Sequence, residues 1–96
     1  MPQIIFSPNA LRDLDRLREF LRPKNPDAAK RAATAIAKSI RLLNQHPQAG
    51  RPVEDLSEEY RELLIDFGDS GYIAMYRYQD SLVTVLAIKH QKEVGY

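Results

Sequence analysis

A change in the spacing of apolar residues, just past the middle of the chain, constrains the fold more than any other feature. Before residue 47, leucine and isoleucine recur at intervals of three and four, as on one face of a helix. From Tyr60 onward the chain forms short aromatic or aliphatic runs, separated by turn-forming residues at 68–71 and 79–81. Two helices followed by three strands, at 60–67, 72–78 and 82–88, are therefore predicted.

Two polar residue–proline pairs mark where the helices begin. In Ser7-Pro8 and Asn25-Pro26, the first residue suits an N-cap. The proline suits the first helical position, where its missing N–H has no helical partner. The first helix is expected to end at Pro23, and the second at about residue 46, before Pro47.

The two helices differ in composition. The first carries one apolar stripe, formed by Leu11, Leu14, Leu17 and Leu21. Three charged residues are expected to cover its other side: Asp13, Arg16 and Glu19. The second helix is rich in alanine, and small side chains allow two helices to approach closely. An antiparallel helical hairpin is therefore predicted.

Two further strands complete the predicted sheet. A short apolar run at 3–6 precedes the first helix and is predicted to be a strand. The run at 82–88 is apolar at nearly every position, which is typical of a central strand. The predicted class is α+β in the order β-α-α-β-β-β, with the helical hairpin packed on one face of a small, mainly antiparallel sheet.

Composition narrows the possible chemistry. The chain has 96 residues, no cysteine and two histidines, which excludes disulfides and cysteine nucleophiles and leaves little for a metal site. No apolar run approaches the ~20 residues of a membrane helix, and the start lacks the pattern of a signal peptide. We expect one cytoplasmic domain over residues 1–96 that uses no metal or cofactor and does not enter a membrane.

Charge is unevenly distributed along the chain. Residues 1–48 contain nine Lys/Arg and four Asp/Glu, a net +5, whereas residues 49–96 contain five and nine, a net −4. Such asymmetry bears on association with partners rather than on the fold.

The C-terminal strands carry the candidate site residues: Arg61, Arg77, Lys89, His90, Lys92 and Tyr96. Arginine and lysine can hold phosphates, and His90 can act as an acid or base near neutral pH. The same residues can instead have a structural role and stabilise the fold. In that interpretation Arg61 and Arg77 pair with carboxylates across strands, and His90 is a partly buried hydrogen-bonding residue.

Several segments, in their order and spacing, resemble the RelE/ParE superfamily of bacterial type II toxins. They span nearly the whole chain, at 25–29, 47–51, 60–63, 71–77 and 89–91. The resemblance implies a small toxin that a cognate antitoxin wraps and neutralises. It also implies that operator DNA is bound only through that antitoxin.

The superfamily has two branches with different targets. The RelE-like branch cuts mRNA on the ribosome without metal, using lysines, arginines and a C-terminal tyrosine, whereas the ParE-like branch inhibits DNA gyrase. The nuclease branch typically has an arginine after its Gly-Tyr pair, and this chain has Ile73 at that position. That branch also has lysines on the preceding strand, where this chain reads RELLID over 61–66. His90 occupies the position of the second arginine of the nuclease branch, and Tyr96 occupies the position of its tyrosine.

This pattern predicts a ParE-like gyrase inhibitor without catalysis of its own. Its target contacts are expected on the basic helical hairpin or at Arg61, Arg77, Lys89 and Lys92. One alternative is a ribosome-dependent mRNA endoribonuclease with His90 and Tyr96 as acid–base groups. Another is a degenerate member that binds only its antitoxin. Antitoxin contacts are expected at Leu11, Leu14, Tyr72 and Tyr76.

Overall fold

Two helices and five strands make up residues 2–92, the part of the chain that the computed structural model describes. They are β1 (Gln3–Phe6), α1 (Pro8–Leu21), α2 (Pro26–Arg41), β2 (Arg51–Pro52), β3 (Tyr60–Phe67), β4 (Ser70–Gln79) and β5 (Leu82–His90). A short 3-10 turn, Leu42–Asn44, extends α2. The α+β class and the predicted order are confirmed. The structure adds β2, a two-residue strand within the predicted 48–56 loop.

Both predicted helix starts are confirmed by their cap hydrogen bonds. The Ser7 hydroxyl accepts from the N–H of Ala10 at 3.0 Å, and the Asn25 side-chain oxygen accepts from the N–H of Ala28 at 3.0 Å. Each cap satisfies one N–H that has no partner inside its helix. No helix within residues 2–92 is both long and apolar enough to cross a membrane.

The sheet has the strand order β1-β5-β4-β3-β2. The β1–β5 pair is parallel and the other pairs are antiparallel, so the sheet is mainly antiparallel and β5 lies inside it, as predicted. The β4–β5 turn holds Asp80 and Ser81 at φ 54° and 60°. Two successive positive φ angles are the geometry of a type I′ hairpin turn.

The core lies between the helices and one face of the sheet. Its largest fully buried side chains come mainly from the sheet: Tyr76, Leu43, Ile65, Ile88, Val83 and Val85. The opposite face, which we call the open face, consists of alternate residues of β3 and β4 and their neighbours on β1 and β5. It includes Ile5, Glu62, Leu64, Ile73, Met75, Arg77 and Lys89.

The buried side of α1 differs from the prediction. Leu11 is 52% exposed, whereas Asp13 is only 5% exposed, so the expectation that Asp13 faces solvent is wrong. The reason is that β1 ends at Phe6, which leaves backbone groups of β5 unpaired beyond Val85. Asp13 accepts a hydrogen bond from the N–H of Ile88 at 2.9 Å. A buried N–H without a hydrogen-bond partner is costly. Asp13 therefore faces the sheet, although the spacing of the leucines places it on the solvent side of the helix.

Candidate functional site

A groove of about 710 Å³ lies between the second half of α1 and the end of the sheet where the β3–β4 turn meets β5. Its walls are mostly apolar, formed by Leu17, Phe20, Leu21, Phe67 and Tyr72. Its polar lining consists of Arg16, Asp69, Ser70, His90 and Lys92. Gly68 in the turn leaves its side of the groove open, since a Cβ added there would have no atom within 4 Å.

His90 is held in one orientation at the edge of this groove. Its Nε2 lies 3.2 Å from Ser70 Oγ, and its Nδ1 accepts a hydrogen bond from the backbone N–H of Lys92 at 3.1 Å. The ring packs edge-on against Tyr72 at a centroid distance of 5.4 Å. Because a backbone N–H occupies Nδ1, the proton of the neutral ring is assigned to Nε2, where it faces Ser70.

Arg61 is bound to the loop that precedes β2. Its guanidinium donates to the carbonyl oxygen of Gly50 at 2.7 Å and to that of Gln48 at 3.3 Å. Beside it, the Tyr76 hydroxyl donates to the Pro47 carbonyl at 2.7 Å and accepts from the N–H of Gly50 at 2.9 Å. These contacts give Arg61 and Tyr76 a common role, which is to hold the loop over residues 47–50 against the sheet.

The other two strand cations are paired with carboxylates. Arg77 lies 3.3 Å from Glu59, and Lys89 lies 3.6 Å from Asp13. Lys89 stands opposite Ile73 in the sheet, four residues from Arg77 along β4, a separation of about 13 Å. The structure therefore brings His90 and Lys92 together but places Arg61, Arg77 and Lys89 at three separate positions. Tyr96, the other predicted acid–base residue, lies outside the described residues.

Residues 4–95 match the family model described as the ParE toxin of the type II toxin–antitoxin system parDE. The chain belongs to the ParE toxin family. A curated relative, toxin RelE3 of Caulobacter vibrioides, is 37% identical over 93 residues, which is 97% of this chain and 98% of that protein. Toxin RelE1 of the same organism is 34% identical over 90 residues, 94% of each chain.

Solved structures share the fold of this ParE-family chain at lower identity. A chromosomal ParDE system from P. aeruginosa aligns with a TM-score of 0.78 at 24% identity, covering 94% of this chain and 96% of that one. The intact E. coli RelBE toxin–antitoxin complex aligns with a TM-score of 0.64 at 15% identity, covering 97% and 100%. At these identities the likeness establishes the RelE/ParE-like fold.

Within this ParE-family fold, the register places Ile73, where the nuclease branch has an arginine, between a residue of the 61–66 segment and a residue of β5. Leu64 of β3 pairs with Ile73 of β4, and Ile73 pairs in turn with Lys89 of β5. All three stand in one row of the open face. Of the three, Lys89 carries a positive charge, and this charge is paired with Asp13.

The four residues predicted to contact an antitoxin occupy different environments. Leu11 is exposed and Leu14 is partly buried, whereas Tyr72 and Tyr76 are 2% and 0% exposed. Tyr72 nevertheless lines the groove, whereas Tyr76 lies in the core with its hydroxyl bonded to the loop over residues 47–50, and the antitoxin contacts stay a prediction. Residues 72, 74, 76 and 78 all point toward the helices, because alternate residues of a strand share a face.

Phe20 and Ser70 line the groove but were not among the predicted site residues. Phe20 is 61% exposed, and the Lys24 ammonium lies 3.8 Å from its ring centroid. Arg16 was predicted on the solvent side of α1, as part of the basic helical hairpin that is a candidate target contact, and Ser70 was assigned only to a turn. The sequence did offer a signal for Phe20, because it is a large aromatic residue beside the leucine stripe of α1. Residues 2–92 contain no group of three or more His, Asp or Glu placed to hold a metal ion.

Proposed function

We propose that this ParE-family toxin acts in the cytoplasm by binding DNA gyrase and blocking its reaction, without cutting RNA. The observation that carries the proposal is the row Leu64–Ile73–Lys89 on the open face. In the nuclease branch these strands supply cations to the scissile phosphate. Charge stabilisation of that kind is usually a large part of catalysis, and two apolar side chains cannot provide it.

The surroundings of this row also favour a protein partner over RNA. Glu62 and Asp66 stand on the same face of β3 as Leu64, and carboxylates repel a phosphate backbone. Leu64 is 48% exposed, and Met75 is partly exposed beside Glu62. An apolar centre with a charged rim is the usual composition of a protein–protein interface. We assign target binding to the open face, with Arg77 and Lys89 at its rim.

A supercoiling assay tests this proposal. Purified toxin is added to DNA gyrase, ATP and relaxed plasmid, and both supercoiling and cleaved DNA are scored. Loss of supercoiling that added antitoxin restores is the expected result. Unchanged supercoiling, together with cleavage of mRNA on ribosomes by the same preparation, would overturn it.

The nuclease alternative has one observation in its favour. His90, Ser70, Lys92 and Arg16 line the same groove, which places a histidine among two cations and a hydroxyl. If this site cuts mRNA, His90→Ala abolishes cleavage on stalled ribosomes while the fold is retained. Tyr96→Phe serves as a second variant, since it removes only a hydroxyl. Full toxicity of both variants would exclude catalysis by these groups.

We propose that the groove is the docking site of a cognate antitoxin. The groove combines an apolar wall, including the exposed Phe20 ring, with two positive charges, on Arg16 and Lys92, against one negative charge, on Asp69. An amphipathic segment with acidic side chains matches both properties. Among the structural neighbours, the E. coli RelBE and DinJ–YafQ structures are toxin–antitoxin complexes. In our proposal operator DNA is bound through the antitoxin.

A pair of matched variants tests antitoxin docking. Phe20→Glu places a charge in the groove wall, and Leu42→Glu places the same charge on another exposed apolar residue, 47% exposed. Co-expression with the neighbouring gene, followed by calorimetric titration, is expected to show at least a tenfold loss of affinity for F20E alone. Equal affinity of both variants would place the antitoxin elsewhere.

A further inference from the structure

The outer face of α2, which is turned away from the sheet, carries a stripe of positive charge. Ile36 and Ile40 are buried on the inner face of the helix. Four cations lie on the exposed side, within about one third of the helix circumference: Lys30, Arg31, Lys38 and Arg41. Asp27 is the one carboxylate of α2, so the helix side chains carry a net charge of +3. We call these four cations the basic stripe.

Three cations of the basic stripe are not neutralised by the chain itself. Arg31 lies 3.8 Å from Asp27, near the start of the helix. Lys30, Lys38 and Arg41 form no ion pair within residues 2–92. A row of unpaired cations on one helix face attracts an anionic partner, and it does so more strongly at low ionic strength.

We propose that the basic stripe binds the phosphate backbone of duplex DNA without sequence preference. Lys30 and Lys38 are eight residues apart, which is about 12 Å along the helix axis. The major groove of DNA is also about 12 Å wide, so the two ammonium groups can reach phosphates on both of its sides. In duplex RNA the major groove is deep and narrow, which does not suit this spacing. Contacts to phosphates carry no sequence information of their own.

The residues between the cations favour a duplex over single-stranded RNA or a membrane. Thr34 and Ala37 separate the positive charges on the exposed side of α2. Single-stranded nucleic acids are bound largely by stacking of their bases on aromatic rings, and α2 contains no aromatic residue. Binding along a membrane surface needs large apolar side chains on the helix, and the exposed residues of α2 include none. Small side chains instead let a phosphate backbone lie close to the helix.

The basic stripe is separate from both sites described above. The helices cover the face of the sheet opposite the open face, and the groove is lined by α1, the β3–β4 turn and the end of β5. DNA bound to α2 therefore leaves the open face free for a protein target. If that target is gyrase, the stripe concentrates the toxin on the DNA on which gyrase acts. The inference rests on α2 alone, so it can fail while the proposed function holds, and the reverse is also true.

Fluorescence anisotropy tests the basic stripe without gyrase. A labelled duplex of about 20 base pairs is titrated with the full chain at KCl concentrations between about 50 and 200 mM. The logarithm of the binding constant is expected to fall with the logarithm of the salt concentration with a slope of about −3, about one unit for each unpaired cation. Lys30→Gln combined with Lys38→Gln is expected to reduce this slope to about −1 and to weaken binding at least tenfold at the lowest salt concentration.

Two further variants serve as controls. Arg51→Gln combined with Arg77→Gln removes the same charge from the sheet, where both arginines are paired with glutamates, and is expected to keep the wild-type slope. Lys30→Arg combined with Lys38→Arg keeps the charge of the stripe and is expected to keep the binding. Absence of duplex binding by the wild type, equal weakening in the two glutamine variants, or tighter binding to single-stranded RNA or anionic lipid vesicles than to the duplex would overturn the proposal.

Discussion

The carboxylate of Asp13 in α1 accepts a hydrogen bond from the backbone N–H of Ile88 in β5, at 2.9 Å. Nearby, the side chains of Ser7 and Asn9 donate to the Leu86 carbonyl, each at 3.1 Å. Leu86 is the extra residue of a β-bulge, because Tyr76 pairs with Val85 and Met75 with Ala87. The start of α1 thus replaces β1 as the hydrogen-bonding partner of β5.

Asp13→Ala is therefore expected to destabilise the fold by about 2–3 kcal/mol, because it leaves a buried N–H and the Lys89 ammonium without a partner. Urea unfolding measures the loss. Asp13→Asn is the matched variant: its amide oxygen still accepts from Ile88, so about 1 kcal/mol is expected. Wild-type stability of D13A would contradict this role for the carboxylate.

The loop over residues 47–50 depends on the Tyr76 hydroxyl. Tyr76→Phe removes its bonds to Pro47 and Gly50 and is expected to reduce the free energy of unfolding by about 1–3 kcal/mol. Gly50→Ala is expected to cost about as much, because the added Cβ would lie 2.8 Å from the Tyr76 ring and 2.9 Å from the Glu62 carbonyl oxygen. Thermal unfolding of both variants checks this. Unchanged melting temperatures would show that the loop is not anchored here.

Alkaline pH is expected to destabilise the protein through the same tyrosine. Burial raises the pKa of Tyr76 above 10.0, against the smaller opposing effects of the Gly50 hydrogen bond and the Arg61 charge. Below about pH 10, Tyr76 is protonated in both folded and unfolded chains. Above it the unfolded chain loses this proton first, so stability falls as pH rises. Denaturant titrations at pH 9 to 11.5 measure the slope, which should be smaller for Y76F than for wild type.

The β4–β5 turn offers a stabilising substitution. Ser81 has a positive φ of 60°, a conformation that glycine adopts without the steric cost of a Cβ. Ser81→Gly is expected to raise the free energy of unfolding by about 0.5–1 kcal/mol, since Asp-Gly is a favoured type I′ pair. Ser39→Gly, inside α2, is the control and should lower it. A destabilised S81G would mean that the turn has another conformation in solution.

Target binding at the open face predicts a contrast between two exposed leucines. Leu64 is 48% exposed on that face, and Leu42 is 47% exposed at the end of α2. Leu64→Asp is expected to weaken gyrase inhibition at least tenfold, because it places a charge in the apolar centre, while Leu42→Asp leaves it unchanged. Equal inhibition by both variants would move the target contact away from the open face.

Local signals in the sequence were enough to predict most of the secondary structure. Ser7 and Asn25 cap their helices because a cap hydrogen bond spans only three residues. The β3–β4 turn lies where glycine, aspartate and serine occur together, and the β4–β5 turn lies at an aspartate–serine pair. The candidate site was predicted less completely. His90 and Lys92 line the groove, whereas Phe20 and Ser70 were missed because α1, the turn and β5 meet only in the folded chain.

The sequence by itself determined the α+β class, the order of the elements and the resemblance to a toxin family. These depend on periodicity, caps and turn residues, which act over a few positions. Only the tertiary structure decided that Asp13 is buried, that Tyr76 and Arg61 hold a loop, and that Leu64, Ile73 and Lys89 share one row. Each of these depends on a backbone group or strand far away in the chain, and such groups must find partners wherever the fold places them.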